Sequence, residues 1–126
     1  MSDKTDQFIE ALHKLEDSRD AEAIAALFAE DADVSNPLVE HRGEGEEGAL
    51  SFWRSYREAF ETIRSEFRNI VEQDGVAMLE WTSEGRADGG AVHYGGVSVL
   101  EHGENGIKAF RTYFDSRQVM PPQKTA

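Results

Sequence analysis

The stretch VAMLEWTSEGRADGGAVHYGGVSVLE, residues 76–101, alternates apolar and polar side chains, breaks at Asp88-Gly89-Gly90, and then resumes the alternation. A period of two on both sides of an Asp-Gly break predicts two antiparallel strands joined by a tight hairpin. Working outward, the pattern repeats. Upstream, SEFRNIVEQ (65–73) is separated from Val76 by Asp74-Gly75; downstream, HGENG (102–106) leads into IKAFRTYFDS (107–116). Four such runs joined by short turns predict an antiparallel meander.

Before residue 65 the period is helical. In DKTDQFIEALHKLED (3–17), Phe8, Leu12 and Leu15 recur at spacings of four and three, with Ile9 and Ala11 beside them. Asp20 is placed to cap a second helix, AEAIAALFAED (21–31), and the break between the two is short enough for a helical hairpin. ADVSNPLVEH (32–41) gives a short extended piece ended by Asn36-Pro37. A third helix follows in EEGALSFWRSYREAFETI (46–63), with Leu50, Trp53, Tyr56 and Phe60 as its stripe and Glu44, Glu46 and Glu47 at the positive end of its dipole. The Gly spacing of GEGEEG (43–48) is not a phosphate loop: no strand precedes it, no Lys-Ser/Thr pair follows, and its glutamates repel phosphate. The order α-α-β-α-β-β-β-β predicts an α+β fold, with N-terminal helices packed on one face of a curved, mainly antiparallel sheet. One domain is expected over residues 1–126, with a disordered tail from 121.

Composition excludes several function classes. The 25 acidic residues outnumber 13 scattered basic ones, for a net charge of −12, so counterion-release binding of nucleic acid is not expected. No cysteine is present, which removes disulfides, thiolate metal sites and a cysteine nucleophile. No pair of histidines has metal-ligand spacing, and neither a metal nor another cofactor is expected. No apolar run is long enough to cross a membrane, and MSDKTDQFIE lacks the features of a signal peptide, so a cytoplasmic location is expected.

Two segments, ALFAEDADVSNP (26–37) and NGIKAFRTYFD (105–115), resemble the helix-to-first-strand passage and the final strand of the nuclear transport factor 2-like superfamily. Within it, the SnoaL-like group of polyketide-cyclase relatives is most similar; Trp81 in LEWTSEG and a glycine of HYGGVSV support the match, which spans residues 6–117. The resemblance implies a cone-shaped α+β barrel with a deep pocket, usually dimeric. Such members include isomerases, cyclases, dehydratases, epoxide hydrolases and non-enzymatic binders. Compared with the limonene epoxide hydrolase branch, Asp115 matches a catalytic carboxylate and Asn36 a first-strand asparagine. That branch's tyrosine is replaced by Val34, and its Arg-x-Asp pair by Trp81 and Ser83. Epoxide opening between two carboxyl groups is thereby left with one of them.

In the family's geometry, Ala77, Leu79, Trp81 and Ser83 face the pocket, Trp53, Tyr56 and Phe60 close its walls, and Asn36 stands at its mouth. On the final strand Ile107, Ala109, Arg111, Tyr113 and Asp115 line the cone, while Phe110 and Phe114 face a partner across a sheet-to-sheet homodimer. Asp115 is then either an acid/base group with its pKa raised by desolvation, or the ion-pair partner of Arg111. Tyr113 either donates to an oxyanion or anchors to a neighbouring strand. His93 is the third candidate for proton transfer, or else an ordinary strand histidine, and Val97, which shares its parity, is expected to contact the bound molecule. The expected function is binding of a small apolar or carbonyl-bearing molecule. Cofactor-independent isomerisation, cyclisation or dehydration by Asp115, Tyr113 and His93 stands against a non-catalytic binder or dimeric interaction module.

Overall fold

The computed structural model describes residues 3–118. The tail expected to be disordered from 121 lies outside the described residues. The chain runs α1 (Asp3–Ser18), α2 (Ala21–Ala25), β1 (Phe28–Ser35), β2 (Glu40–His41), α3 (Gly45–Glu58), β3 (Thr62–Gln73), β4 (Val76–Ala87), β5 (Gly90–Gly103) and β6 (Gly106–Phe114), then a 3-10 turn at Ser116–Gln118. One six-stranded sheet has the order β2-β1-β6-β5-β4-β3. Every neighbouring pair is antiparallel except β1 and β6, which are parallel. The sheet is curved and open, with β2 and β3 as its edges, so the helices rather than strand closure complete the cone.

Both Asp-Gly hairpins form as the sequence predicts. Asp74 and Gly75, like Asp88 and Gly89, take positive φ at both central positions, the geometry that matches strand twist. Asp20 caps α2 by accepting from the backbone N–H groups of Glu22 and Ala23. The second helix, however, stops at Ala25 instead of running to Asp31. Phe28 onward is drawn into the sheet because β6 needs a neighbour: the Ile107 N–H donates to the Leu27 carbonyl at 2.8 Å. Gly106 permits this approach, since its φ is 122° and a Cβ there would lie 2.8 Å from the Leu27 oxygen.

The core lies between the helices and the concave face. Phe8 and Leu12 of α1, Phe52 and Trp53 of α3, and Phe110 of β6 meet there, with the Trp53 and Phe110 ring centroids 5.0 Å apart. Buried aromatic pairs at such spacing add about 0.5–1.5 kcal/mol beyond their area. Arg57, itself buried, ties the core's edge. Its guanidinium donates to the main-chain carbonyl of Glu16 at the end of α1, and to that of Phe60 just after α3.

Two bulges decide which side chains face inward. On β3, Phe67 and Asn69 pair with the consecutive residues Trp81 and Glu80, leaving Arg68 extra. On β6, Ile107 and Ala109 pair with His102 and Glu101, leaving Lys108 extra. Strict alternation from Ile107 therefore fails. Ile107 is buried, but after Lys108 the inward set becomes Phe110, Thr112 and Phe114, while Arg111 and Tyr113 turn outward. This corrects the expected faces of the last strand: Phe110, 3 % exposed, is monomer core and not a dimer contact.

Candidate functional site

A cavity of about 350 Å³ lies between α1, α3 and the concave face of the sheet, a size suited to a small organic molecule. The walls are largely aromatic, from Phe8, Phe52, Trp53 and Tyr56 on the helices and Trp81, Tyr94, Phe110 and Phe114 on the sheet. Leu38 and Val39, both exposed, mark its mouth together with Asn36. Trp81 fits because Gly96 stands opposite it on β5, where a Cβ would come within 2.7 Å of the indole.

Polar side chains are few, and apart from Asn36, Ser55, Asp88 and Tyr94 they fall in two rows. The first starts at Glu16, 2 % exposed although it belongs to a helix rich in charge. Its Oε1 accepts from the Ser65 N–H at 2.9 Å; its Oε2 accepts from the Ser65 hydroxyl at 2.6 Å and the Tyr56 hydroxyl at 2.7 Å. Ser65 Oγ in turn lies 2.6 Å from Ser83 Oγ. Burial, and next the charge of Glu16, hold the Tyr56 hydroxyl well above the usual phenol range. Burial, and next the charge of Glu16, also raise Tyr94, whose hydroxyl neighbours Ser83. The second row runs from the Trp81 N–H to Ser98 Oγ at 2.9 Å, and from the Ser98 hydroxyl to Thr112 Oγ1 at 2.9 Å. The Trp53 indole N–H, on a side chain 3 % exposed, is buried without a partner.

Of the residues expected from sequence, Trp53, Tyr56, Phe60, Trp81, Ser83 and Asn36 border the cavity. Asn36 is occupied locally: its Oδ1 accepts from the N–H groups of Leu38 and Val39, both at 2.8 Å. Leu79 is buried in the core. The proposed proton-transfer set is not assembled. Asp115 follows the end of β6 and pairs with Arg117 rather than Arg111, and hydrogen bonds from Arg117 hold its carboxyl below the usual range. Arg111 instead pairs with Glu101 on the outer face. Tyr113 is 56 % exposed there, and His93 is exposed beside Glu84. Val97, the cross-strand neighbour of Tyr113, lies on the same outer face. The Lys108 bulge accounts for Arg111 and Tyr113, while His93 and Val97 fall outside because β5 turns Tyr94, Ser98 and Leu100 inward.

Sequence reasoning missed Glu16, Ser65, Tyr94, Ser98 and Thr112. Glu16 had a signal, since it falls four residues after Leu12 and eight after Phe8 on one helical stripe. Tyr94 and Ser98 share one strand parity, opposite to that of His93. Among the described residues, no cluster of three His, Asp or Glu side chains is set to hold a metal ion. Nor is any helix there long and apolar enough to cross a membrane.

Solved structures with this architecture are numerous. An NTF2-like protein from Anabaena variabilis superposes with a TM-score of 0.80 at 20% identity, covering 90% of this chain and 88% of its own. A protein of ketosteroid isomerase-like fold from Catenulispora acidiphila, in complex with trimethylamine, gives 0.77 at 14% identity, covering 90% of this chain and 88% of its own. An LEH-like epoxide hydrolase from M. tuberculosis gives 0.71 at 17% identity, covering 94% of this chain and 89% of its own. At these identities the likeness concerns the fold. No curated protein matches the sequence. The family model described as SnoaL-like domain matches residues 6–112, nearly the whole of the helices, sheet and cavity wall, and the chain therefore belongs to the SnoaL-like domain family.

Proposed function

We propose that this protein binds an uncharged, largely apolar small molecule in the cavity between α1, α3 and the sheet. One observation carries the reading: an aromatic cavity of about 350 Å³ is bordered by Trp53, whose buried indole N–H has no partner. An unsatisfied buried donor costs about 1–3 kcal/mol, and a ligand carbonyl or ether oxygen brought against it would remove that cost. Asp115, Tyr113 and His93 lie off the cavity and take no part in this reading. It therefore favours the binder over proton transfer by that set. The Catenulispora protein, whose structure holds a small amine, shares the fold and lends general support.

The test is calorimetric titration with 2-acetylnaphthalene, an apolar aromatic ketone. Binding is expected, and Trp53→Phe should weaken it roughly tenfold by removing the N–H while keeping an aromatic wall. Absence of binding to the wild-type protein would sink the reading.

We further propose that the active assembly is a homodimer joined through the outer sheet face. Val71 and Met78 are cross-strand neighbours there, Val97 and Tyr113 likewise, and Val71, Met78 and Tyr113 are exposed. Apolar side chains grouped on one open face suit a self-complementary contact with a second copy.

A further inference from the structure

The directions of the cavity's hydrogen bonds specify the polar character of its ligand. Each serine or threonine hydroxyl has one hydrogen to donate and two lone pairs to accept with. The Ser65 hydroxyl donates to the Glu16 carboxylate, so its single hydrogen is spent. The 2.6 Å contact between Ser65 and Ser83 is then a bond in which Ser83 donates and Ser65 accepts. Ser83, which borders the cavity, thereby uses its own hydrogen and keeps acceptor capacity. The second row is polarised in the same sense. Indole N–H can only donate, so Trp81 fixes Ser98 as its acceptor. Ser98 then spends its hydrogen on Thr112, and Thr112 directs its own at the Val97 carbonyl, 3.4 Å away.

Both rows thus end on groups that only accept, a carboxylate and a carbonyl, and the hydroxyls of Ser83, Ser98 and Thr112, three of those lining the cavity, present lone pairs. A ligand atom meeting these three hydroxyls finds acceptors, with the Tyr94 hydroxyl, a group that can donate, beside Ser83. Resting on the small-molecule reading above, we infer that the ligand carries a hydrogen-bond donor, a neutral hydroxyl or N–H, that it delivers to Ser83. A donor-free or anionic group at the same place meets unpaired lone pairs, and behind them the Glu16 carboxylate. Trp53, on the helical side, carries a group of the opposite kind, a buried indole N–H without a partner.

The experiment compares 2-naphthol, its methyl ether 2-methoxynaphthalene and 2-naphthoate by calorimetric titration of the full chain. The ether keeps the aromatic body and the oxygen but lacks the donor. Wild-type protein is expected to bind 2-naphthol about tenfold tighter than the ether, the span of one hydrogen bond of about 1.4 kcal/mol, and 2-naphthoate more weakly than both. In Ser83→Ala the preference for 2-naphthol over the ether should collapse, which also controls for the larger size of the ether. Equal binding of 2-naphthol and the ether to wild type overturns the inference while leaving the small-molecule reading intact. Preference persisting in Ser83→Ala overturns it also, as does 2-naphthoate binding best. If none of the three binds, this inference and the small-molecule reading fall together. A crystal structure of the wild-type 2-naphthol complex decides the matter without any variant. The naphthol oxygen is expected about 2.7–2.8 Å from Ser83 Oγ, and a hydroxyl placed elsewhere refutes the assignment.

Discussion

At the scale of single residues, the carboxylate that holds cavity-lining side chains in place is not the one that its sequence context suggested. Asp115 sits in the segment that most resembles a catalytic strand, yet it reaches only its neighbour Arg117. Glu16 looks like one more charge on an acidic helix, but it is buried and collects three donors. A glutamate in that setting joins α1 to α3 through Tyr56 and to β3 through Ser65. Glu16→Gln replaces an acceptor oxygen by an NH2 group facing donors, so a buried donor loses its partner. We expect a loss of about 1–3 kcal/mol, read from the midpoint of urea unfolding at unchanged m-value. An unchanged midpoint would show that the three bonds contribute nothing net.

At the scale of elements, β6 shows how one residue reassigns a face. Strict period-two counting along its sequence puts Arg111, Tyr113 and Asp115 on the side of Ile107. Lys108 is accommodated as a bulge because β5 offers only the consecutive residues Glu101 and His102 to Ile107 and Ala109. Everything beyond it changes sides. β4, which has no bulge against β5, keeps the simple alternation, with Ala77, Leu79, Trp81 and Ser83 inward. The contrast yields a sharp expectation for β6. Phe110→Ala should destabilise the fold by about 3–5 kcal/mol, as for other buried phenylalanines, whereas Tyr113→Ala, measured at dilution where single chains prevail, should cost about 0.5 kcal/mol or less. Denaturant unfolding of the two variants checks it, and the reverse ranking would restore uninterrupted alternation.

At the scale of the whole molecule, the open sheet has one face covered by helices and the other exposed. The concave face holds the cavity; the outer face mixes Val71, Met78 and Tyr113 with the Arg111–Glu101 pair. For the proposed homodimer, light scattering should give twice the chain mass, and Met78→Glu should shift the population toward single chains by placing charge in the contact. A wild-type mass of one chain would remove the proposal. Local interactions explain what was legible beforehand. The helical stripes, the Asp-Gly turns and the period-two runs depend on residues a few positions apart, so the α+β architecture and the antiparallel meander were readable from the chain alone. The end of α2 at Ala25, the Lys108 bulge and the burial of Glu16 depend instead on partners tens of residues away: Ile107 for Leu27, Glu101 and His102 for β6, Ser65 and Tyr56 for Glu16. Those pairings exist only once the sheet and helices have packed. Tertiary structure alone therefore decided which face of the last strand lines the cavity and which polar atoms a ligand would meet.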